Sequence, residues 1–195
     1  MSKDAPITHQ PIIIITAPSG AGKTSITRWL LKKYPRLAFS VSATTRSPRG
    51  HELDGADYYF LGVDDFLQKI VHKEFAEWEM VYEGKYYGTL KSELRRIWDE
   101  DRIPLLDIEV KGAIHMQKQY PVSTLSLFIE PPSVDELRRR LETRGTETAA
   151  SLEARVNKAA YELSFKDHFD KIIVNKDLDL ACQEADIVIK DFLKL

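Results

Sequence analysis

The stretch Pro11-Ile-Ile-Ile-Ile-Thr-Ala-Pro-Ser-Gly-Ala-Gly-Lys-Thr24 decides the fold class of this chain. Its first half is a continuous β-branched run, which is typical of a strand buried on both faces at the centre of a parallel sheet. After the glycines, Ile26 and Leu30 stand four residues apart on one helical face, and Pro35 ends the pattern. The stretch therefore predicts a buried strand, a tight loop and a helix over residues 23–34.

The loop in this stretch has the spacing of a phosphate-binding loop. Its glycines let successive backbone N–H groups turn toward phosphate oxygens, and the N-terminus of the following helix adds positive potential. In such a loop the lysine reaches the β- and γ-phosphates of ATP, and the last hydroxyl ligates Mg²⁺. The first fixed position departs from the pattern, because alanine stands where glycine is usual. The predicted cofactor-binding residues are Ala17, Pro18, Ser19, Gly20, Ala21, Gly22, Lys23 and Thr24.

The remaining sequence alternates further buried-strand patterns with helical patterns. This alternation predicts an α/β fold with a mainly parallel sheet flanked by helices. The helix that begins at residue 133 carries the Ser-x-x-Glu signature of a capping box. Further strands are predicted over residues 103–108, 125–129 and 171–174, and further helices over 110–119, 133–144 and 178–191.

The segment of about 40–98 interrupts the alternation, since it is rich in tyrosine, glycine turns and short alternating pieces. It predicts a small inserted subdomain of antiparallel strands. A shorter piece, 145–150, has the small polar composition of mobile lids. We therefore predict a flexible leader over 1–11 and one domain over 12–195, with its core in 12–39 and 99–195, an insertion over about 40–98 and a lid over about 140–156.

Composition excludes several classes of partner. The formal net charge is −2 at pH 7, so no general field attracts nucleic acid or an anionic membrane. The longest apolar run, residues 12–15, is far too short to span a membrane. The single cysteine, Cys182, excludes an internal disulfide and suits a reducing compartment. We expect a cytoplasmic monomer or homodimer with small-molecule partners.

A second constellation lies in the segment Ser40-Val-Ser-Ala-Thr-Thr-Arg-Ser-Pro-Arg-Gly-His-Glu52. Arg46 and Arg49 stand three residues apart beside several hydroxyls, and Tyr58 follows. Two guanidinium groups and a phenol can hold a monophosphate dianion. The spacing alone leaves a solvated basic loop as an equal alternative.

Together with the phosphate loop, eight further segments resemble the guanylate kinase family. The resemblance runs in order over about residues 12–193, and its specificity comes from that order. It implies a phosphate-loop kinase core with an inserted GMP-binding subdomain and a short lid, and transfer of the γ-phosphate of ATP to GMP or dGMP. The segments are Ser42-Ala-Thr-Thr-Arg-Ser-Pro-Arg49, Gly55-Ala-Asp-Tyr-Tyr-Phe60, Glu77-Trp78, Tyr86-Tyr-Gly-Thr89, Leu106-Asp-Ile-Glu109, Pro131-Pro-Ser-Val134, Arg144-Gly-Thr-Glu147 and Val174-Asn175.

The resemblance also implies the roles of individual residues. The phosphate of GMP would be held by Arg46, Arg49, Tyr58 and Tyr87. The guanine base would be surrounded by Ser42, Glu77, Thr89 and Glu109. ATP and Mg²⁺ would be served by Lys23 and Thr24, with Asp107 as an outer partner of the metal. The transferring phosphoryl group would be neutralised by Arg140, Arg144 and Arg155, and Asn175 would lie near the adenine.

The chemistry of guanine agrees with this assignment. Guanine offers N1–H and a 2-amino group as donors and O6 as an acceptor, so the carboxylate of Glu77 suits the donors and hydroxyls suit O6. Adenine has no such donor pair and would leave a buried carboxylate unpaired. Two departures from the family pattern stand beside this match: Gly50-His51 precedes Glu52 where a single glycine is usual, and Glu109 replaces an aspartate.

Two other functions remain open from the sequence. One is a catalytically inert scaffold domain that binds a phosphorylated partner, although such domains usually have degraded phosphate loops. The other is a phosphate-loop kinase for a different acceptor, such as AMP or a pyrimidine nucleotide. The combination of Ser42, Glu77 and Thr89 argues against the second.

Overall fold

A computed structural model describes residues 10–143 and 149–195. Most of the predicted leader, the catalytic candidate Arg144 and the centre of the predicted lid lie outside the described residues. The strands are β1 (Ile12–Thr16), β2 (Leu37–Phe39), β3 (Ala43–Thr44), β4 (Tyr59–Phe60), β5 (Phe75–Tyr82), β6 (Lys85–Leu90), β7 (Ile103–Asp107), β8 (Thr124–Glu130) and β9 (Lys171–Val174). The α-helices are α1 (Lys23–Lys33), α2 (Val63–Val71), α3 (Lys91–Asp99), α4 (Val110–Gln119), α5 (Val134–Thr143), α6 (Ala149–Leu163) and α7 (Leu178–Leu193).

The larger sheet has five strands in the order β2-β7-β1-β8-β9. Strand β1 is the middle strand, and its four isoleucines are completely buried, as their β-branched run predicts. Pairing is parallel between β2 and β7 and between β8 and β9. The predicted α/β fold with a mainly parallel sheet is therefore confirmed.

The chain divides into two compact units. The first contains the residues up to Ile13 together with Arg36–Thr124, and the second contains Ile14–Pro35 and Leu125–Leu195. The second unit carries the glycine-rich loop, and the first carries a smaller sheet. The predicted division into core, insertion and lid stays a prediction.

The smaller sheet has the order β4-β3-β6-β5. Strand β6 pairs antiparallel with both β3 and β5, as expected, whereas β3 and β4 pair parallel, which corrects the prediction of antiparallel strands alone. Its core contains the buried Phe66, whose ring stacks on Phe75 at 4.3 Å between centroids. Helices α2 and α3, which were not predicted from the sequence, supply apolar side chains to this unit.

Helices α1, α5 and α7 of the second unit follow their predicted signals closely, whereas α6 was not among the helices whose bounds were predicted. Helix α1 ends one residue before the predicted limit, and α7 extends two residues beyond it. At the start of α5 the backbone N–H of Glu136 donates to the hydroxyl of Ser133 at 3.0 Å. This bond is one half of the predicted capping box. The Glu136 carboxylate accepts hydrogen bonds from Arg139 and Arg140. In the described ranges, no helix is both long and apolar enough to cross a membrane.

Candidate active site

The glycine-rich loop joins β1 to α1 in the second unit. Gly20 and Gly22 have φ angles of 95° and 97°, a left-handed conformation that favours glycine. Helix α1 begins directly afterwards at Lys23, so the N-terminus of the helix, with its positive potential, lies at the end of the loop. Ala17 does not have a positive φ, which explains why alanine is tolerated where glycine is usual.

Asn175 supports this loop from the end of β9. Its side chain is buried, and Nδ2 donates to the carbonyl oxygen of Ala21 at 2.7 Å. A Cβ atom on Gly22 would lie 2.1 Å from the same Nδ2, so the glycine is required by contact as well as by φ. Asn175 is therefore a support of the phosphate loop, and its expected place beside adenine stays a prediction.

Two of the predicted catalytic arginines lie close to the loop in the same unit. The Arg140 guanidinium donates to the carbonyl oxygen of Asn175 at 3.0 Å and to Glu136 at 2.9 Å. Arg155 donates to the hydroxyl of Ser19 at 2.9 Å. A cleft of about 500 Å³, within the range of small-molecule sites, opens here. It is lined by Gly20, Gly22, Glu136, Arg139, Arg140 and Thr143.

In the first unit, Arg46 is buried and held on several sides. Its guanidinium forms a bidentate ion pair with Glu52, at 2.6 and 2.7 Å. The same group lies over the ring of Tyr58 at 4.6 Å and over the ring of Phe60 at 5.6 Å. The Tyr58 ring in turn meets the edge of Tyr87 at 6.1 Å. The structure thus brings together three of the four residues predicted to hold the GMP phosphate.

Glu52 connects Arg46 with the fourth of these residues, Arg49. Its Oε2 accepts a hydrogen bond from the backbone N–H of Arg49 at 2.8 Å, and its own N–H donates to the Arg49 carbonyl oxygen at 3.0 Å. The hydrogen bonds from Arg46 lower the pKa of Glu52 to about 2, so the pair is ionised at neutral pH. Gly50 has a φ of 55°, so the longer Gly-His turn still closes on Arg49. No role had been predicted for Glu52 from the sequence.

Glu77 on β5 carries a buried carboxyl group with a raised pKa. It is 5 % exposed and accepts a hydrogen bond from the hydroxyl of Thr89 at 2.7 Å. Burial raises its pKa to about 7; the Thr89 hydrogen bonds oppose this rise, and the nearby charges of Glu79 and Glu109 add to it. Three of the four residues predicted around the guanine base therefore act on one another.

Gly112 leaves the space that the Glu77 carboxylate occupies. A Cβ atom at Gly112 would lie 2.3 Å from Oε2 and 3.0 Å from Cδ of Glu77. Gly112 lies inside α4, where glycine is about 1 kcal/mol less favourable than alanine. The sequence contains one signal for this contact, a glycine within a helical pattern, but the contact was not predicted from it.

Ser42 and Asp107 complete the predicted residues of the first unit. The carbonyl oxygen of Ser42 accepts a hydrogen bond from the Tyr59 N–H at 2.9 Å, which joins the segment after β2 to β4. Burial raises the pKa of the Tyr58 hydroxyl, the Arg46 guanidinium offsets part of this rise, and the Asp107 carboxylate adds to it. Asp107 is therefore close enough to Tyr58 to act on it electrostatically.

A phosphate loop between a buried strand and a helix, with an arginine cluster on a parallel α/β fold, defines a phosphate-loop kinase. The sequence model of the family described as guanylate kinase matches residues 9–192. A guanylate kinase of Bacteroides fragilis is 48% identical over 182 residues, which cover 93% of this chain and 89% of that protein. A guanylate kinase of Salinibacter ruber is 46% identical, with 93% and 96% covered.

A solved structure extends this similarity to the fold. The crystal structure of guanylate kinase from Anaplasma phagocytophilum superposes with a TM-score of 0.74 at 29% sequence identity. The match covers 94% of this chain and 86% of that chain. The chain belongs to the guanylate kinase family, as its sequence motifs predicted.

The raised pKa of Glu77 predicts a pH-dependent cost in stability. Because the folded state holds the proton up to about pH 7 and the unfolded state releases it near 4.5, the free energy of unfolding falls as the pH rises between these values. The difference amounts to about 3 kcal/mol. We expect Glu77→Gln, measured by thermal unfolding, to raise Tm relative to the parent more at pH 8 than at pH 5.

The control for this measurement is Glu83→Gln, which makes the same change at an exposed position in the turn of the same hairpin. Its Tm difference from the parent should be equal at the two pH values. An equal Tm difference at both pH values for Glu77→Gln would show that Glu77 is ionised throughout this range.

Proposed function

We propose that this chain transfers the γ-phosphate of ATP to GMP, and also to dGMP, giving ADP and the nucleoside diphosphate. The observation that carries the proposal is the buried carboxyl group of Glu77, whose pKa of about 7 reflects poor compensation for lost hydration. A ligand with two adjacent N–H donors supplies that compensation, and guanine has such a pair in N1–H and the 2-amino group. AMP has no equivalent pair.

The cradle of Arg46, Arg49 and Tyr58 supports the phosphate end of this acceptor. Arg46 is oriented by Glu52 and by two aromatic rings, so little conformational freedom is lost when a dianion binds. The phosphate of GMP is itself the nucleophile and needs no strong base. Its orientation and the neutralisation of charge therefore account for the catalysis.

The donor end of the reaction belongs to the phosphate loop. Backbone N–H groups and Lys23 hold the phosphates of ATP, while Asn175 fixes the loop carbonyl and Arg140 and Arg155 supply positive charge beside it. Arg144 has the same role in this proposal, although it lies outside the described residues. Exclusion of water from the reaction would suppress hydrolysis of ATP.

Thr24 and Asp107 are each proposed as a partner of Mg²⁺ on the chemistry of their side-chain oxygens. Thr24 is exposed at the second position of α1, and hydroxyl and carboxylate oxygens suit this ion. Across residues 10–143 and 149–195, no group of three or more His, Cys, Asp or Glu side chains could hold a metal. When bound, Mg²⁺ would neutralise charge on the β- and γ-phosphates. The cytoplasmic location and the monomeric or homodimeric state stay predictions.

An acceptor panel tests the reaction directly. In a coupled assay of ADP production with ATP and Mg²⁺, we expect turnover with GMP and at least about 10⁴-fold lower kcat/KM with AMP, CMP and UMP. Lys23→Ala should remove nearly all activity. Comparable turnover with another nucleotide would contradict the role of Glu77, and binding of GMP without any turnover would indicate an inert scaffold domain.

The support of the loop by Asn175 predicts a selective loss on the ATP side. Asn175→Ala removes the hydrogen bond to the Ala21 carbonyl oxygen and leaves that buried group unpaired, at a cost of about 1–3 kcal/mol. Steady-state kinetics should show KM for ATP raised about tenfold or more, with KM for GMP within twofold. The control is Lys176→Ala at the exposed neighbouring residue. Equal increases in both KM values would argue against a local role.

The contact at Gly112 predicts the opposite selectivity. Gly112→Ala should displace the Glu77 carboxylate and raise KM for GMP about tenfold or more, with KM for ATP unchanged. Gly62→Ala is the matched control, because a Cβ there meets its nearest neighbour at an ordinary 3.5 Å. A Gly112→Ala enzyme with parental KM for GMP would show that the carboxylate can move without loss of binding.

A further inference from the structure

Glu93 is a buried carboxylate that lies outside the set of residues assigned above. It is the third residue of α3, and its side chain is 1 % exposed. Each carboxylate oxygen accepts two hydrogen bonds. Oε1 accepts from the Val41 backbone N–H at 3.0 Å and from Arg96 at 2.8 Å, and Oε2 accepts from the Tyr59 hydroxyl at 2.9 Å and from Arg96 at 3.0 Å.

The two neutral donors are the chain neighbours of residues assigned to GMP. Val41 precedes Ser42, which is assigned to the guanine base, and Tyr59 follows Tyr58, which is assigned to the phosphate. The Tyr59 N–H also donates to the Ser42 carbonyl oxygen at 2.9 Å. Glu93 therefore closes a ring of hydrogen bonds through the two segments that carry these residues.

The four donors outweigh the cost of burying this charge. Burial raises the pKa of the Glu93 carboxyl group, but hydrogen bonds from Arg96, Val41 and Tyr59 bring it below the ordinary value, so the group is ionised. Replacing a buried ion pair by apolar groups is often neutral or stabilising, so stability alone gives little reason for such a pair. An apolar side chain here, however, would leave the buried Val41 N–H without its acceptor.

We propose that Glu93 is a positioning residue that fixes the backbone of the 41–42 and 58–59 segments and so sets the distance between the base-binding and phosphate-binding groups for GMP. The inference rests on the proposed function, because it takes GMP as the ligand of both segments. Glu93 acts through Val41 and Tyr59 and does not itself touch the substrate.

The test compares three single substitutions in the steady-state assay with GMP and ATP. Glu93→Gln replaces one acceptor oxygen by an NH₂ group, which faces an N–H of Arg96 in either orientation of the amide. Tyr59→Phe removes one hydroxyl and leaves the charge of Glu93 paired. Glu100→Gln is the matched control, since the exposed Glu100 also pairs with Arg96, at 2.9 Å.

We expect Glu93→Gln to raise KM for GMP about tenfold and Tyr59→Phe to raise it about threefold, with KM for ATP within twofold of the parent in both. Glu100→Gln should leave both KM values unchanged. Thermal unfolding of each variant separates folding from positioning. A purely structural role of Glu93 would lower Tm and the active fraction, and so kcat, without changing KM for GMP.

The outcomes separate this inference from the proposed function. Parental KM for GMP in Tyr59→Phe and in folded Glu93→Gln would overturn the positioning role while the kinase activity stands. If Glu93→Gln does not fold, Tyr59→Phe alone decides, and an unchanged KM for GMP again overturns the proposal. Absence of GMP turnover in the parent would overturn the proposed function and, with it, this inference.

Discussion

The first unit depends on how it compensates three buried ionisable side chains for their lost hydration. Glu93 receives four hydrogen bonds within the protein, and Arg46 receives both oxygens of Glu52 and the faces of two rings. Glu77 receives its hydrogen bonds from Thr89. The pKa values follow this order of compensation, because the carboxyl group of Glu93 titrates below its ordinary value and that of Glu77 above it. The least compensated group is the one for which a ligand's N–H donors have the largest effect.

The glycine-rich loop of the second unit has a requirement of a different kind. It presents backbone N–H groups, which carry no net charge and cost little to leave near the surface. Its requirement is geometric, since Gly20 and Gly22 must be left-handed and the Asn175 amide occupies the space beside Gly22. The Arg140 side chain lies beside this loop, and its hydrogen bond to the Asn175 carbonyl oxygen fixes the orientation of its guanidinium group. The loop therefore depends on shape, whereas the Glu77 site depends on compensation of charge.

The sequence predicted the features that depend on local signals. The β-branched run of β1, the glycines of the loop and the bounds of α4 and β9 follow from neighbouring residues, and the family was recognised from motifs in order. Helices α2 and α3 were not predicted because each has only nine residues and lies in a segment dominated by strand and turn signals. The parallel pairing of β3 with β4 depends on the path of the chain between the two strands, and no local sequence pattern predicts that path.

Contacts between distant residues account for what the sequence analysis could not predict about the site. The burial of Glu77 depends on the missing side chain of Gly112, and the role of Glu93 depends on donors 52 and 34 residues away. The polar residues can be identified in the sequence, but the sequence does not show whether an acidic side chain is exposed or buried. The burial of a charge is therefore the informative observation at this site, because only a buried charge needs donors that a ligand can supply.

The two buried acids also show why stability and binding are opposed at this site. Four internal donors make Glu93 a good anchor and leave it little capacity to bind a ligand. Further protein donors at Glu77 would lower its pKa and stabilise the folded state, but they would occupy the lone pairs that the proposed guanine contact needs. Because a ligand that binds the folded state stabilises it, GMP would restore the stability that the vacant acceptor capacity of Glu77 costs. The small sheet is therefore expected to be least stable without its nucleotide, and in the proposed role of Glu77 the selectivity for guanine would follow from that deficit.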